Sequence, residues 1–358
     1  MKPNKFIQSL KPYIPIAHKV WEIQKEQNVL KLDWNESTIS LPKHIIFALQ
    51  EAIANDRLYW YPNTSNSELL ELLSGYVGLN KTCMEFFASS DCAHEFILQV
   101  FAIVGEKVCI VSPTYDNFRS RADGIGLSTF LYRTDENNMI DFIKLDYYLA
   151  LQNPKICYIC NPNNPTGVLH DVAMLEQLIL KHQSVLFVID EAYYEFCNVS
   201  MSYLLPHTTN LIITRTFSKA FGLASFRIGY CLSSPQNISA LNLLRNAKNI
   251  PHLSQVAATA ALKDRSYMEN YTKEVVLART WFIKELESIS VFKIYNSSGN
   301  FVFMRYKDIA ALKIFLESKN IFIRDYTHIV ENHCRISIGT MAQMQYVLNA
   351  IKEFCNKN

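Results

Sequence analysis

The stretch Leu211-Ile-Ile-Thr-Arg-Thr-Phe-Ser-Lys219-Ala-Phe-Gly-Leu-Ala-Ser-Phe-Arg227-Ile-Gly decides the fold prediction for this chain of 358 residues. It begins with a β-branched apolar run, which is typical of a buried strand, and continues into a polar turn that contains Ser218 and Lys219. Arg227 follows the lysine after eight residues. The pattern therefore predicts a strand that brings one amine and one fixed cation to the same place.

This pair of groups suits a particular kind of chemistry. An amine held in such a setting can form a Schiff base with an aldehyde cofactor. A guanidinium can hold a phosphate with two parallel hydrogen bonds while that covalent bond breaks and reforms. A single lysine in a loop is more often an ordinary surface residue, so the prediction depends on further motifs in the chain.

Length and composition limit the class of protein. The chain is long enough for two packed lobes, and its 49% hydrophobic and 19% charged residues are ordinary for a soluble globular protein. The formal charge of +2 gives no basic field, so we expect no nucleic-acid partner. We expect no membrane association either, because no apolar run is long enough to span a bilayer and the first residues lack a secretory signal.

The cysteines favour a reducing compartment. There are nine, scattered and odd in number, which predicts a cytoplasmic protein. Cys157 and Cys160 form a C-x-x-C, but they lie in an apolar run that reads as a buried strand. No second pair has the spacing of zinc ligands, so we expect no metal site.

The order of strands and helices predicts an α/β protein. Helical stretches alternate with β-rich runs at 108–111, 128–132, 155–160, 185–189, 211–214 and 227–231. This alternation predicts a three-layer αβα domain with a mostly parallel sheet. A long helical run at 254–288, strands at 292–295, 301–305 and 335–338 and a closing helix then predict a smaller α+β domain. The predicted boundaries are an N-terminal arm over 1–30, a large domain over 31–236 and a small domain over 237–358.

The lysine stretch resembles that of the fold-type I aminotransferases that use pyridoxal 5′-phosphate (PLP). It is most similar to the histidinol-phosphate aminotransferase family, whose pattern is R-T-F-S-K-A-[FY]-G-L-A-x-x-R-[IL]-G. The resemblance implies the PLP-transferase fold of type I, with PLP as cofactor and Lys219 as the residue that forms the Schiff base. It also assigns Thr216, Ser218 and Arg227 to cofactor binding.

A carboxylate follows the neighbouring apolar run. Asp190 begins the motif Asp-Glu-Ala-Tyr193 after residues 185–189. A carboxylate at a buried strand end is costly unless it meets a cation, and a protonated pyridine nitrogen is one. The match to the family's D-E-A-Y implies that Asp190 contacts this nitrogen and that Tyr193 contacts the phenolic oxygen of PLP. Taken alone, without the match to the family, Asp190 would rather be interpreted as a helix N-cap.

Two further motifs follow predicted strands. Asn161-Pro-Asn-Asn-Pro-Thr-Gly167 is a turn with few accessible conformers, and it matches the family's N-P-N-N-P-T-G. The resemblance implies that Asn164 binds the phenolic oxygen and that the bond before Pro165 is cis. Ser112-Pro-Thr-Tyr115 matches S-P-T-Y, so Tyr115 is expected to stack on the pyridine ring, although a core tyrosine is an equal alternative.

Ala88-Ser-Ser-Asp91-Cys-Ala-His-Glu95 precedes the apolar helical run 96–104. The free N–H groups at such a helix start can bind an anion. The family has G-N-G-S-D-E here, and this chain keeps Ser90 and Asp91. The resemblance therefore assigns Ser90, Asp91 and Cys92 to the cofactor phosphate, and we expect His94 on the surface of the helix.

The remaining matches concern the substrate and a partner subunit. Arg335 matches the family's R-I-T-I-G-T, which implies a clamp for a substrate carboxylate or other anion, and Arg324 matches V-R-D, which implies a phosphate clamp. Asn35 matches N-E, and Tyr13 matches a P-Y that helps to cover the substrate. Tyr61 matches Y-P, whose tyrosine reaches the neighbouring subunit's site, so the resemblance implies a homodimer with shared active sites.

The implied function is a PLP-dependent aminotransferase acting on a small phosphorylated substrate, similar to histidinol-phosphate aminotransferase, with glutamate and 2-oxoglutarate as the donor pair. One alternative is decarboxylation of a phosphorylated amino acid. Another is amination of a different small phospho-ketone in a sugar or polysaccharide pathway. Residues 37–38 and 247–251 depart from the family pattern and keep both open. A non-catalytic protein on the same fold is disfavoured because Lys219, Asp190 and Arg227 are all present.

Overall fold

The computed structural model describes residues 3–8, 10, 19–23 and 28–357. A seven-stranded sheet forms the centre of the larger part, in the order β2-β8-β7-β6-β5-β3-β4. Its strands are β2 (Met84–Phe87), β3 (Lys107–Ser112), β4 (Ser128–Arg133), β5 (Ile156–Cys160), β6 (Leu186–Asp190), β7 (Leu211–Thr216) and β8 (Gly229–Ser233). Neighbouring strands are parallel except at β8, which runs antiparallel to β2 and β7.

Helices cover both faces of this sheet. Successive side chains of a strand point to opposite faces, and in β5 Ile159 joins one apolar core while Tyr158 joins the other. The core that contains Tyr158 is closed by α3 (Ser90–Phe101), α4 (Asn117–Gly124) and α7 (Pro235–Leu244). The opposite core receives α2 (Ser67–Val77), α5 (Phe142–Gln152), α6 (Val172–Lys181) and α8 (His252–Lys263). The predicted three-layer αβα arrangement is confirmed.

The helical run predicted at 254–288 is two helices. α8 ends at Lys263, and α9 covers Ser266–Glu287. Asp264 lies between them, and its Oδ1 accepts hydrogen bonds from the N–H and the hydroxyl of Ser266 at 3.0 and 2.6 Å. An aspartate that satisfies the free N–H groups of a new helix start competes with continuation of the previous helix.

A five-stranded sheet forms the centre of the smaller part, in the order β1-β11-β12-β10-β9. Its strands are β1 (Leu30–Leu32), β9 (Lys293–Ile294), β10 (Phe301–Arg305), β11 (Ile321–Asp325) and β12 (His333–Ser337). The remaining helices are α1 (Lys43–Asn55), α10 (Ile309–Glu317) and α11 (Met341–Lys357).

The sequence pattern did not indicate β1, β2 or β11. β1 is parallel to β11, with Leu30 opposite Ile321, so a segment from the start of the chain completes the sheet of its last third. The domain boundaries at 31 and 237 stay predictions. Within the described part of the chain, no helix has both the length and the apolar character needed to cross a bilayer.

Candidate active site

Four of the predicted site residues gather at one edge of the seven-stranded sheet. Asp190 is the last residue of β6, Asn164 follows β5, and Tyr115 follows β3. Lys219 comes three residues after the end of β7. Strands β3, β5, β6 and β7 are mutually parallel, so their carboxyl ends meet at this edge, where open α/β sheets bind ligands.

Lys219 is a half-buried amine at this edge. Its Nζ donates a hydrogen bond to the carbonyl oxygen of Trp34 at 2.8 Å and lies 6.0 Å from the centre of the Tyr193 ring. Enclosure by protein and the positive charge of Arg335 lower the pKa of the amine from 10.5 to about 8. A substantial fraction of the amine is therefore neutral, and thus nucleophilic, near physiological pH.

Asp190 is a buried carboxylate with hydrogen bonds to both oxygens. The hydroxyl of Tyr158 donates to Oδ2 at 2.9 Å. The N–H of Ala192 and the hydroxyl of Thr214 donate to Oδ1 at 3.2 and 3.3 Å. The segment that follows is a turn and a single 3-10 turn at Tyr194–Phe196, so Asp190 does not cap an α-helix.

His94 lies beside this carboxylate, and the prediction that it would be on the helix surface is wrong. The imidazole is fully buried, with Nε2 2.9 Å from Thr214 Oγ1 and 3.8 Å from Asp190 Oδ2. α3 turns His94 towards the sheet because the helix begins at Ser90, six residues before the predicted apolar run. The apolar residues Ile97 and Leu98 are on the same buried side.

Sequence reasoning also missed Tyr158 and Thr214. Both side chains lie on the face of the sheet that α3 covers. Side chains two residues apart on a strand share a face, and Tyr158 and Thr214 each follow an isoleucine of that core by two residues, Ile156 and Ile212. Thr214 is also the direct neighbour of Asp190 in the β6–β7 register. The sequence did contain a signal for Thr214. It is a polar residue in the apolar run Leu-Ile-Ile-Thr, and the neighbouring strand β6 ends in an aspartate.

Asn164 and Tyr193 are drawn together by two residues from outside the sheet. Asn35 Nδ2 donates to the Tyr193 hydroxyl at 3.0 Å, and Arg335 Nη1 donates to Asn164 Oδ1 at 2.6 Å. Burial raises the pKa of Tyr193 above its usual range, so the phenol stays protonated. The bond between Asn164 and Pro165 is cis, as the resemblance implied.

The loop that carries Tyr115 is tied to the same turn. Thr114 Oγ1 donates to Asn163 Oδ1 at 2.8 Å, and Asn163 Nδ2 donates to the Pro113 carbonyl at 2.8 Å. Tyr115 itself is half-buried at the end of β3. The two hydrogen bonds fix this loop beside the turn that holds Asn164.

Arg227 stands near the start of α3. Its Nη1 donates to the Ala224 carbonyl at 3.1 Å and to Ser218 Oγ at 3.5 Å. Burial raises the pKa of the Cys92 thiol, and the nearby charge of Arg227 partly offsets that rise. Thr216 Oγ1 accepts a hydrogen bond from the Ser218 N–H at 3.1 Å. The guanidinium and the N–H groups at the start of α3, near Ser90 and Asp91, therefore offer positive charge in one region.

The start of α3 is held tightly against β8. Ser89 has φ 121° and ψ 166°, a conformation that is costly for any residue with a side chain, and its Oγ accepts from the Cys92 N–H at 3.2 Å. A Cβ on Gly229 would lie 2.6 Å from the Ser90 nitrogen and 2.8 Å from the Ser89 carbonyl carbon. Only a glycine at position 229 lets the two backbones approach this closely.

Arg324 and Arg335 form a pair of buried cations. They are directly opposite each other in the β11–β12 register, so both side chains project from the same face of the smaller sheet. Arg335 also donates to the Asp33 carbonyl at 2.5 Å and to the Tyr326 hydroxyl at 3.1 Å. Its Nε is buried and finds no hydrogen-bond acceptor among the described residues. Two like charges side by side suit an anion between or beside them.

One predicted residue, Tyr61, lies apart from this set. Tyr61 is 78% exposed, and its ring is contacted by Lys248 Nζ at 4.1 Å rather than by any of the residues above. Tyr13 lies outside the described residues. Of the remaining predicted residues, Asn35 is drawn to the site by its bond to Tyr193, and its own backbone N–H is fixed by Ser337 Oγ at 2.9 Å.

Comparisons with known proteins agree with this geometry. The family model for class I and II aminotransferases matches residues 27–351. The dihydroxyacetone phosphate transaminase Cj1437c of Campylobacter jejuni is 48% identical, with 100% of this chain and 98% of that protein aligned. A histidinol-phosphate aminotransferase of Ruminiclostridium cellulolyticum is 32% identical over 91% of this chain and 92% of its own length.

Among solved structures, histidinol-phosphate aminotransferase from Sinorhizobium meliloti in complex with PLP superimposes with a TM-score of 0.88. It is 25% identical, and the match covers 99% of this chain and 98% of that one. The groups at the sheet edge suit PLP, because a nucleophilic amine, a buried carboxylate and an anion-binding helix start match its aldehyde, its ring nitrogen and its phosphate. The chain therefore belongs to the class I and II aminotransferases and is a PLP-dependent transaminase of fold type I.

Proposed function

We propose that this chain transfers an amino group between glutamate and a small phosphorylated ketone, with dihydroxyacetone phosphate as the first candidate. The observation that carries the proposal is the difference in similarity between two groups of relatives. The dihydroxyacetone phosphate transaminase shares 48% identity over the whole chain, whereas the histidinol-phosphate aminotransferases of Ruminiclostridium cellulolyticum and Sinorhizobium meliloti share 32% and 25%. The resemblance to the second group is carried largely by motifs expected to bind the cofactor.

Lys219 is the proposed catalytic residue. When bound, PLP supplies an electrophilic aldehyde carbon and a ring that withdraws electrons from the substrate Cα. Lys219 Nζ would hold the cofactor at that aldehyde carbon, and the same amine, when free, would accept and return the proton of the substrate Cα. A pKa of about 8 suits both directions of this transfer, because neither the neutral nor the charged amine is strongly favoured at physiological pH.

Four residues orient the ring of the cofactor in this proposal. Asp190 holds the pyridine nitrogen protonated, and its hydrogen bonds from Tyr158 and Thr214 support the ionised carboxylate. Asn164 and Tyr193 donate hydrogen bonds to the phenolic oxygen, and Tyr115 packs on the ring face.

The phosphate end is held by charge and by free N–H groups. The proposed ligands are the Arg227 guanidinium, the Ser218 and Thr216 hydroxyls, and the start of α3 at Ser90, Asp91 and Cys92. Their support is the position of Arg227 next to Ser218 and its influence on Cys92. Such a cluster keeps the cofactor bound during the interval in which its covalent link to the enzyme is open.

The two buried arginines are the proposed substrate clamps. Arg335 binds the carboxylate of the amino donor, and its buried, unsatisfied Nε supports the presence of an anion at this position. Arg324, its neighbour across β11 and β12, is proposed to bind the substrate phosphate. Since donor and acceptor use one site in turn, both anions must be accommodated by this pair and its surroundings.

The proposal includes a homodimer. Tyr59, Trp60 and Tyr61 are consecutive aromatic residues with exposed fractions of 82%, 59% and 78%. Exposed aromatic side chains in a row are unusual on a free surface and support burial against a second copy. In that arrangement Tyr61 completes the partner's site. We place the enzyme in the cytoplasm, and the nine unpaired cysteines support this.

The test is substrate competition on the PLP-loaded protein. Glutamate is supplied with dihydroxyacetone phosphate, or with the ketone corresponding to histidinol phosphate, and 2-oxoglutarate is measured by a coupled dehydrogenase. We expect kcat/KM for dihydroxyacetone phosphate to exceed that for the imidazole ketone about 100-fold or more. The variant Lys219→Ala is the control, and it should bind PLP without turnover.

Three outcomes would contradict the proposal in different ways. A preference for the imidazole ketone would refute the substrate and keep the reaction type. Release of carbon dioxide from a phosphorylated amino acid, without 2-oxoglutarate formation, would favour the decarboxylase alternative. A protein eluting as a monomer, with an unimpaired Tyr61→Ala variant, would refute the shared site.

A further inference from the structure

His94 is a buried imidazole that the proposed reaction does not yet use. It lies on α3, one turn after the proposed phosphate-binding residue Ser90, and no part of it is exposed. Its ring packs edge-on against Phe118 and Tyr158, with ring centres 5.3 and 5.5 Å away. An apolar side chain would satisfy those two contacts equally well, so the polar atoms of His94 call for a separate explanation.

The direction of the hydrogen bonds can be assigned from chemistry. An ionised Asp190 can only accept, so the Thr214 hydroxyl donates its single proton to Asp190 Oδ1 at 3.3 Å. The oxygen of Thr214 must then act as the acceptor for His94 Nε2 at 2.9 Å. Nε2 therefore carries a proton, which it donates to Thr214, and the nitrogen lies 3.8 Å from Asp190 Oδ2.

The other ring nitrogen shows that this arrangement has a cost. Nδ1 of His94 is buried without a hydrogen-bond partner in the described part of the chain. A buried, unpaired acceptor destabilises the fold, so packing alone does not account for a histidine here. The hydrogen bonds on the other side of the ring offset this cost. There His94 Nε2 donates to Thr214, and Thr214 donates to the carboxylate of Asp190.

We propose that His94 is a positioning residue that acts through Thr214 to keep Asp190 ionised and aimed at the pyridine nitrogen of PLP. The inference rests on the proposed role of Asp190. Each donor that points at the carboxylate favours its charged form, and a charged Asp190 favours the protonated pyridine. Without His94, the Thr214 hydroxyl is free to rotate, and the proton shared between Asp190 and the ring moves towards the carboxylate.

The test uses PLP labelled with ¹⁵N in the ring, bound to the full-length protein. The ¹⁵N chemical shift reports whether the ring nitrogen is protonated, and a residue with only a packing role would not move it. We expect the shift to move towards the unprotonated position in His94→Phe and in Thr214→Val. Thr214→Ser, which restores the hydroxyl, should return the wild-type shift. The PLP dissociation constant should rise and kcat fall about tenfold, with KM for glutamate unchanged.

The controls separate this inference from the assignments on which it rests. His182→Gln removes a histidine that also contacts a carboxylate, Asp146 at 2.8 Å, and lies just before the amino end of β6. It should leave the ¹⁵N shift unchanged. Asp190→Asn should bring the ¹⁵N chemical shift to the value of an unprotonated ring nitrogen. If it does not, the proposed role of Asp190 is wrong. If Asp190→Asn moves the shift while Thr214→Val and a folded His94→Phe do not, the role of His94 is refuted. Thr214→Val, which is nearly isosteric, decides the matter if His94→Phe does not fold.

Discussion

The depressed pKa of Lys219 predicts that removing the amine stabilises the PLP-free protein. We consider Lys219→Met, which keeps the volume and flexibility of the side chain and removes its charge. The amine titrates near 10.5 when exposed and near 8 in the fold, because burial and Arg335 disfavour its protonated form. The protonated amine therefore lowers the free energy of unfolding, because it is less stable in the folded protein than in the unfolded chain. We call this loss of stability the charge penalty.

The sign and the pH range of this penalty follow from linkage. Below pH 8 the amine is protonated in both states, so the penalty is complete. It shrinks as the pH rises from 8 to 10.5 and vanishes above that, where the amine is neutral in both states. The difference of 2.5 pKa units corresponds to about 3 kcal/mol at most.

Two effects reduce this figure. The Lys219 side chain is only half-buried, so solvent screens its charge, and we expect about half of the maximum. The variant also leaves the Trp34 carbonyl without its 2.8 Å hydrogen bond, which costs about 1 kcal/mol. We therefore expect Lys219→Met to be more stable than the wild type by about 0.5–1 kcal/mol at pH 7 and less stable at pH 10.5.

The assay is urea unfolding of both PLP-free proteins at matched concentration, at pH 7 and at the highest pH at which both stay folded. Lys155→Met, at an exposed position before β5, is the control and should show a difference that does not vary with pH. A free-energy difference between Lys219→Met and wild type that is the same at both pH values would refute the reasoning. An increase in the stability of Lys219→Met relative to the wild type as the pH rises would refute it as well.

Further predictions concern the buried groups around the site. Burial raises the pKa of Glu195 from 4.5 to about 7. Above pH 7 the folded protein holds a buried charge, so Glu195→Gln should stabilise it by up to about 3 kcal/mol. Near pH 4 the substitution should have little effect, and thermal unfolding at a series of pH values measures the difference. A constant difference across that range would contradict this. Arg335→Gln should raise KM for glutamate about 100-fold, and a change below threefold in steady-state assays would remove Arg335 from the donor site. Gly229→Ala forces a Cβ to within 2.6 Å of the Ser90 nitrogen, so PLP affinity measured by equilibrium dialysis should fall more than tenfold, whereas Gly75→Ala, where nothing lies within 4 Å, should not change it.

The sheet that carries the site was predictable because its strands are apolar runs that end in distinctive polar turns. Asp190 and Lys219 each follow such a run, and parallel strands necessarily bring their carboxyl ends to one edge. β1, β2 and β11 were not predictable in the same way. β1 has only three residues, and it becomes a strand only because β11 offers its free edge.

The surroundings of Asp190 show what sequence reasoning omits. The position of His94 depends on where α3 begins, and that start is set by Ser89, whose backbone conformation no propensity favours. Once α3 begins at Ser90, His94 lies three and four residues before Ile97 and Leu98, and this spacing places it on their buried face. The interaction of Arg335 with Asn164 likewise joins two segments that no local pattern connects.

The pairing of β1 with β11 also has a consequence for biosynthesis. The carbonyl groups of Asp33 and Trp34, which receive Arg335 and Lys219, are synthesised before both of these partners. The strand just before them, β1, finds its partner only after residue 321 has been made, and Arg335 is made later still. The seven strands of the larger sheet are all synthesised by residue 233, whereas the pocket also needs Arg335 from β12. A message truncated before β12 would therefore lack the arginine that contacts Asn164 and the Asp33 carbonyl.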